Sequence, residues 1–133
     1  MLSKYRVLDL TDEKGFLCGK IMGDLGADVI KIEKPGGDNS RRIGPFFHNT
    51  VDPERGLNWF ALNASKRGIT LNLEDARGKE IFMKLADTAD VVIESFSAGC
   101  RPHNALSPDR ASAMAALGLP GSGRGMAMVG RAW

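Results

Sequence analysis

The sequence lacks the short signatures that most directly identify nucleotide-binding and metal-binding proteins. Its 133 residues contain no GxGxxG after the first predicted strand and no GxxxxGK(S/T), which argues against a dinucleotide fingerprint and a P-loop. His48 and His103 have no ligand spacing, so we expect no metal site. Cys18 and Cys100 form no CxxC pair and no disulfide framework. We therefore expect free thiols in a reducing, cytoplasmic environment.

Long apolar runs and blocks of like charge are also absent. No stretch approaches the roughly 18 apolar residues of a membrane span, and the first six residues lead directly into a strand. We therefore expect neither a membrane anchor nor a signal peptide. The formal net charge is only +2, with no block of like charges, so nucleic acid is not an expected partner. A composition of 43% hydrophobic and 26% charged residues is ordinary for one globular domain.

Short apolar runs and helical patterns alternate along most of the chain. We predict buried strands at residues 6–10, 28–33 and 90–94 and an alternating strand at residues 69–73. Residues 39–57 have no periodicity, and a loop of this length is often functional. The order strand-helix-strand, long loop, strand-helix-strand predicts an α/β fold with a parallel sheet. Ligands of such folds bind at the carboxyl ends of the strands, which favours the glycine-rich turn after the second strand.

Two helices are predicted from apolar residues at helical spacing. Gly26 is placed to end the first helix, because glycine readily adopts a left-handed backbone conformation. Glu74 and Asp75 begin the second, with their negative charge at its positive dipole end. A single helical turn is predicted at residues 58–62. The predicted buried stripes are Phe16, Leu17, Ile21, Met22 and Leu25 in the first helix, and Ile81, Phe82 and Leu85 in the second.

Glycines and basic residues near the strand ends each have two interpretations. Gly15, Gly19 and Gly23 are spaced by four, which indicates close helix packing more often than phosphate binding. Basic residues near the strand ends or in the long loop would suit the phosphate groups of a nucleotide-like ligand, and the alternative is a solvated surface. These basic residues are Lys34, Arg41, Arg42, Lys66 and Arg67.

The composition changes abruptly after Gly99. Residues 100–133 contain no lysine, glutamate, isoleucine or phenylalanine, and four arginines against one aspartate give them a net charge of +3. A helix is predicted only over residues 107–117, and residues 121–130 have too little apolar surface to pack well. We therefore assign residues 1–99 to a partial domain and the remainder to a divergent tail, irregular or short-helical, which a frame-shift or disorder would explain.

Four segments of the chain are distinctive when taken together. They are Val7-Leu-Asp-Leu-Thr11, Asp24-Leu-Gly-Ala-Asp-Val-Ile-Lys-Ile-Glu-Lys-Pro-Gly-Gly-Asp38, Asn63-Ala-Ser-Lys-Arg-Gly-Ile-Thr-Leu-Asn-Leu73 and Ala89-Asp-Val-Val-Ile-Glu-Ser-Phe96. Their order and spacing resemble the amino-terminal part of the family III coenzyme A transferases, which include formyl-CoA transferase, carnitine-CoA transferases and 2-methylacyl-CoA racemase. The resemblance covers roughly residues 5–99, and the second segment is the most specific.

The resemblance implies a Rossmann-like parallel sheet that binds coenzyme A, within a much longer subunit. Full-length subunits of the family form homodimers that interlock like two links of a chain. In the transferases an aspartate carboxylate attacks the acyl-CoA, giving a mixed anhydride and then an aspartyl-CoA thioester. The racemase branch instead moves the α-proton with an acid-base pair. Acyl-CoA and a small carboxylic acid would bind as substrates, with no permanently bound cofactor.

The family's coenzyme A contacts, carried over by motif, fall at or after the ends of the four predicted strands. They are Glu13 and Lys14 after the first, Lys34 after the second, Leu71, Asn72, Leu73 and Glu74 at the end of the third and directly after it, and Ser95 and Phe96 after the fourth. The loop after the first strand is one residue shorter than in formyl-CoA transferase, so its two contacts are placed to within one position. Ser95 stands where the family often has asparagine.

No catalytic residue is assigned. The family's catalytic aspartate lies in a glycine-flanked segment beyond Gly99, where the resemblance ends, and Asp109 does not match that segment. We therefore expect the family's activity, transfer of coenzyme A between an acyl-CoA and a carboxylic acid, in a truncated and catalytically incomplete form. One alternative is a non-enzymatic remnant or interaction module that pairs with a full-length subunit through an exposed sheet edge. Another is a racemase-branch fragment acting on 2-methylacyl-CoA.

Overall fold

Four parallel strands and one antiparallel strand form the sheet at the centre of the protein. The computed structural model describes residues 1–95 and the backbone of residues 127–130. The elements are β1 (Arg6–Asp9), α1 (Phe16–Asp24), β2 (Asp28–Glu33), α2 (Leu57–Asn63), β3 (Arg67–Thr70), α3 (Ala76–Ala86), β4 (Val91–Glu94) and β5 (Ala127–Gly130). They are arranged in the spatial order β3-β2-β1-β4-β5. The predicted α/β fold is confirmed, and β3-β2-β1-β4 matches the first four strands of the Rossmann order 3-2-1-4-5-6.

Helices cover both faces of the sheet. On one face, α3 packs over a core of Leu8, Leu10, Ile30, Ile32, Leu71, Phe82, Ala86 and Ala89. On the other, α1 packs over Val7, Ala27, Val29 and Ile93. The helix α2 lies beside α1, where the rings of Phe16 and Trp59 meet edge to face with centroids 5.4 Å apart. This double coverage explains why β1 and β2 are nearly continuous apolar runs.

The connection between β2 and α2 is more regular than the predicted loop. It contains two short 3₁₀ helices, Asn39–Arg42 and Phe47–Asn49. Backbone hydrogen bonds join residues 45–47 to residues 55–57 and close its outer part into a hairpin-like loop. The helical turn predicted at residues 58–62 is part of the seven-residue helix α2.

The third strand lies earlier in the sequence than predicted. β3 pairs with β2 from Arg67 to Thr70, and the amide of Leu71 donates the last bond, to the Glu33 carbonyl at 2.8 Å. Asn72 then begins the turn into α3, with its side-chain oxygen accepting from the amide of Glu74 at 3.1 Å. After Thr70, Leu71 is buried, Leu73 is partly buried and Asn72 is exposed, and the hydrogen-bonded ladder ends at Leu71.

The apolar stripes predicted for two helices lie partly on the solvent side. On α3, Phe82 is buried as predicted, whereas Ile81 is 41% exposed. On α1, the predicted residues Leu17, Ile21 and Leu25 are exposed, at 58%, 50% and 37%. The helical periodicity is correct, but the face assigned to the core is wrong for these four residues.

Glycines determine the face on which α1 packs. A β-carbon on Gly19 would overlap the carboxylate of Asp9 on β1, and one on Gly23 would lie 2.8 Å from the carbonyl oxygen of Ser65. The helix can approach the sheet this closely only with glycine at these positions. The packing role predicted for the glycines is confirmed.

The carboxyl-terminal part of the chain contributes a strand. β5 pairs antiparallel with β4, from Val91 opposite Gly130 to Glu94 opposite Ala127. This differs from the expectation that residues 121–130 do not pack. Pairing at a sheet edge is driven by backbone hydrogen bonds and needs little apolar side-chain surface. The helix predicted at residues 107–117 lies outside the described residues.

The lengths of the helices bear on the expected absence of a membrane span. The longest described helix, α3, has 11 residues, whereas a helix that crosses a bilayer needs about 20. In the part of the chain that the structure describes, no helix has the length and apolar character required.

The packing of α3 against the preceding turn predicts the effect of Gly78→Ala. A β-carbon on Gly78 would overlap the carbonyl oxygen of Asn72. Alanine ordinarily stabilises a helix interior by about 1 kcal/mol relative to glycine, but here the backbone must shift. We expect the free energy of unfolding to fall by about 2 kcal/mol, as measured by urea denaturation. Gly68→Ala in β3, where the nearest atom would be 4.0 Å away, is the control, and equal effects of the two variants would contradict the prediction.

Candidate functional site

A cavity of about 380 Å³ opens at the carboxyl ends of β1 and β2. Its walls come from the loop after β1, the end of β2, the start of the long connection and the segment after β3. The aliphatic part of the wall consists of Leu10, Ile32, Ile43, Leu71 and Leu73. The charged part consists of Asp12, Glu13, Lys31, Glu33, Lys34 and Asp38. This is the end of the sheet at which α/β proteins bind ligands.

The structure brings together residues from three of the four segments predicted to contact coenzyme A. Glu13, Lys34, Leu71 and Leu73 line the cavity. Four other predicted contacts are not part of its wall, namely Lys14, Asn72, Glu74 and Ser95. Phe96 lies outside the described residues. The cavity therefore contains part of the predicted set, and the assignment of these residues to coenzyme A stays a prediction.

Ser95 and Lys14 do not line the cavity, but both interact with Asp12, which does. The hydroxyl of Ser95 donates to Asp12 Oδ1 at 2.6 Å and accepts from the amide of Asp12 at 2.9 Å. These bonds fix the loop after β1 to the end of β4. The ammonium of Lys14 lies 3.8 Å from Asp12 Oδ2, and its side chain is largely exposed. Ser95 thus positions a wall residue, while Lys14 extends away into solvent.

Most of the basic residues considered as phosphate ligands are engaged within the protein. The ion pairs are Arg41 with Glu33 at 2.6 Å, Lys66 with Asp9 at 2.7 Å and Arg67 with Asp28 at 2.6 Å. Arg42 is exposed and donates to the carbonyl of Gly36 at 3.2 Å. Lys34 lines the cavity and forms no ion pair with any described residue. Of the five, Lys34 is therefore the one best placed to contact a ligand in the cavity.

A fully enclosed carboxylate lies at the end of β1, beneath this region. Asp9 is 0% exposed. Its Oδ1 accepts from the amide and the hydroxyl of Thr11 at 2.9 and 2.6 Å, and its Oδ2 accepts from Lys66 Nζ at 2.7 Å. Lys66 also donates to the carbonyl of Phe16 at 3.0 Å. The pair therefore joins β1, the first turn of α1 and the residue before β3.

Lys31 is a wall residue that the sequence analysis missed. The strand register places it beside Asp9, and it is 2% exposed. Its ammonium donates to the carbonyl of Thr11 and lies 3.8 Å from Asp9 Oδ1. Burial lowers the pKa of Lys31, although the Asp9 charge opposes this shift. A lysine inside a strand that is covered on both faces is the signal that could have found it, because such a charge needs partners.

The pair of Glu33 and Arg41 holds the turn after β2. Arg41 donates to both carboxylate oxygens of Glu33, at 2.6 and 2.8 Å, and its guanidinium lies 4.1 Å from the centroid of the Trp59 ring. The amide of Asp38 donates to Glu33 at 2.9 Å. Burial acts to raise the pKa of Glu33, but these hydrogen bonds and the Arg41 charge outweigh it and lower the pKa. Glu33 is therefore an ionised anchor of the loop.

The anchored carboxylate predicts a dependence of stability on pH. The folded-state pKa of Glu33 lies below its usual value of 4.5, so its contribution is present above that value and is lost as the pH falls through the folded-state pKa. We expect Glu33→Gln to reduce the acid-induced loss of unfolding free energy by about 1–2 kcal/mol. Urea denaturation at several pH values between about 3 and 7 measures this loss. Glu80→Gln, at an exposed pair with Lys84, is the control, and a wild-type pH profile for Glu33→Gln would contradict the prediction.

The enclosed carboxylate predicts a large effect of Lys66→Met. This change leaves Asp9 buried without its 2.7 Å cationic partner, and breaking one side of a buried pair typically costs about 3 kcal/mol or more. Thermal and urea unfolding of the chain measure the loss. Lys20→Met removes an exposed pair with Asp24 and should change stability by less than about 1 kcal/mol. A Lys66→Met protein as stable as Lys20→Met would refute the role of the pair.

Comparison with known proteins identifies the family to which this site belongs. The family profile described as CoA-transferase family III matches residues 2–115. The chain is 43% identical over 100 residues to the succinyl-CoA:(R)-benzylsuccinate CoA-transferase subunit BbsE of Thauera aromatica, covering 75% of this chain and 23% of that protein. It is 41% identical over 106 residues to the formyl-CoA:oxalate CoA-transferase of Escherichia coli, covering 77% and 24%.

A solved structure supports the same assignment. The crystal structure of the hypothetical protein Rv3272 from Mycobacterium tuberculosis has a TM-score of 0.67 and 36% sequence identity, over 86% of this chain and 30% of that one. The chain thus spans about a quarter of the length of the curated relatives named here. From the parallel sheet, the position of the cavity and a profile match over residues 2–115, we conclude that the chain belongs to CoA-transferase family III.

Proposed function

We propose that residues 1–95 supply part of a coenzyme A site, and that the cavity at the carboxyl ends of β1 and β2 holds part of this ligand. The observation that carries the proposal is that Glu13, Lys34, Leu71 and Leu73, which lie at the ends of three different strands, line one cavity. Aliphatic walls suit the apolar surface of a ligand, and the ammonium of Lys34 suits a phosphate oxygen.

The proposed reaction class is transfer of coenzyme A from an acyl-CoA to a carboxylic acid. The two curated relatives are named for transfer between succinyl-CoA and benzylsuccinate and between formyl-CoA and oxalate. Their acids differ in size and polarity, but each pairs an acyl-CoA with a carboxylic acid. These names favour the transferase branch over the racemase branch for this chain. We propose that it acts in the cytoplasm, as the pattern of its cysteines predicts.

The proposal gives the described residues a role in binding and none in covalent catalysis. Asp9 is enclosed, Glu33 is held by Arg41, and Asp12 is hydrogen-bonded to Ser95. Each of these three carboxylates has a structural partner that a nucleophile would have to leave. Of the other carboxylates in the cavity wall, Asp38 accepts from Ser40 and Glu13 is exposed to solvent. We therefore propose that turnover requires the family's glycine-flanked catalytic segment. We find no match to that segment in the 133 residues. The domain boundary after residue 99 likewise stays a prediction.

Coenzyme A is expected to raise the melting temperature of the chain as its concentration increases. At a hundredfold excess over the dissociation constant, the gain in stability is about 2.7 kcal/mol. Lys34→Met should weaken binding about tenfold, because it removes a charge-assisted hydrogen bond. Lys4→Met is the control, since Lys4 precedes β1 and lies at the opposite end of the sheet. Thermal unfolding and isothermal titration measure the two effects.

Three results would count against the proposal. The absence of a thermal shift up to millimolar coenzyme A would overturn the binding site. An equal loss of affinity in Lys4→Met and Lys34→Met would indicate a general charge effect in place of a contact. Exchange of coenzyme A between an acyl-CoA and a carboxylic acid, catalysed by the purified 133-residue chain alone, would overturn the assignment of turnover to sequence outside it.

A further inference from the structure

Lys31 has more hydrogen-bonding capacity than the described residues use. A lysine ammonium carries three donors. Within residues 1–95, the carbonyl of Thr11 is its one hydrogen-bond acceptor, and Asp9 Oδ1 at 3.8 Å is too distant to be a second. Buried donors in native proteins nearly always have partners. The ammonium also lies 5.0 Å from the centroid of the Phe16 ring. This 2% exposed residue therefore uses one donor on the Thr11 carbonyl and retains hydrogen-bonding capacity for an acceptor in the cavity.

Neutralisation of Asp9 does not explain why Lys31 is buried. Asp9 already has a cationic partner in Lys66, at 2.7 Å from Oδ2, and two hydrogen bonds from Thr11 to Oδ1. Both carboxylate oxygens are satisfied without Lys31. A second positive charge beside this pair is costly to desolvate, as the lowered pKa of Lys31 indicates. The Thr11 carbonyl and the Phe16 ring stabilise the buried ammonium in part, and the position of Lys31 in the cavity wall suggests a further partner.

The other nearby carboxylates do not accept a hydrogen bond from Lys31. Glu33 is held by Arg41 through both of its oxygens. Asp38 accepts from the amide and hydroxyl of Ser40 at 2.8 and 2.5 Å, and it forms no ion pair with Lys31 in the part of the chain that the structure describes. The negative charges of both carboxylates oppose, through space, the lowering of the Lys31 pKa that burial causes. They favour the charged form of the ammonium without using its donors.

We propose that Lys31 is a further ligand-binding residue of the cavity, whose ammonium donates a hydrogen bond to an oxygen of the bound ligand. Lys31 is part of the cavity wall, two residues before Glu33 on β2. The Thr11 carbonyl fixes its side chain, so the donor is in place before the ligand arrives. The inference rests on the proposed function, because coenzyme A offers phosphate oxygens in its nucleotide half and carbonyl and hydroxyl oxygens in its pantetheine half. Lys31 would thus act below Lys34, which is exposed at the surface.

The test compares the wild-type chain with Lys31→Met by isothermal titration. Methionine keeps a similar length and removes the charge and the donors. The probes are coenzyme A, adenosine 3′,5′-bisphosphate and pantetheine, of which the second has phosphate oxygens and the third has only carbonyl and hydroxyl oxygens. We expect a loss of at least about tenfold in affinity for coenzyme A. The half-ligand that shows the same loss identifies the kind of oxygen that Lys31 contacts.

The ligand-free proteins separate a binding role from a structural one. Lys31→Met leaves the pair of Asp9 and Lys66 intact and removes only the donor to the Thr11 carbonyl, so we expect its melting temperature to fall less than that of Lys66→Met. A ligand-free Lys31→Met protein that melts as low as Lys66→Met, or unchanged affinity for coenzyme A, overturns the inference alone. A wild-type chain that binds none of the three probes overturns the inference together with the proposed coenzyme A site.

Discussion

The enclosure of the Asp9 carboxylate is the constraint on which the rest of the structure depends. A buried charge is tolerated only with a cationic partner and hydrogen bonds to its remaining lone pairs. The cation comes from Lys66, 57 residues along the chain, and the hydrogen bonds come from Thr11 in the next turn. The loop before α1 and the residue before β3 are therefore both held by a single carboxylate at the end of the central strand β1.

The same carboxylate sets the course of α1 and of the cavity wall. Gly19 must be a glycine because the helix passes directly over Asp9. Thr11 turns back to donate to Asp9, and this directs its own carbonyl to the ammonium of Lys31. Asp12, the next residue, then meets Ser95 at the end of β4. The wall of the cavity is thus built outward from Asp9, through local hydrogen bonds between successive residues of the loop.

The sequence pattern correctly predicts features that are set by consecutive residues, such as strands and helices. It does not predict contacts between residues that are distant in the sequence. The bounds of β2 and the alternation of strands and helices follow from apolar runs that are visible along the chain. Periodicity places Leu17 and Ile21 in the core because they are apolar, but both are exposed. The face of α1 that packs on the sheet carries glycine, because the helix lies too close to Asp9 for a larger side chain. The partner of Lys66 is Asp9, 57 residues away in the sequence, and the partner of Arg41 is Glu33, on the other side of a turn. The sequence alone therefore does not reveal either ion pair. Lys31 was missed because it was counted as part of an apolar strand.

Each described wall of the cavity has its own structural support within residues 1–95. The sheet has a core on both faces, under α3 on one side and under α1 on the other. The turn after β2 is held by Arg41, between the Glu33 carboxylate and the Trp59 ring, and the loop after β1 is held by Asp9 and Ser95. None of these supports comes from sequence beyond residue 95. A ligand contact that depends on them, at Lys34 or Lys31, should therefore be a property of this segment itself.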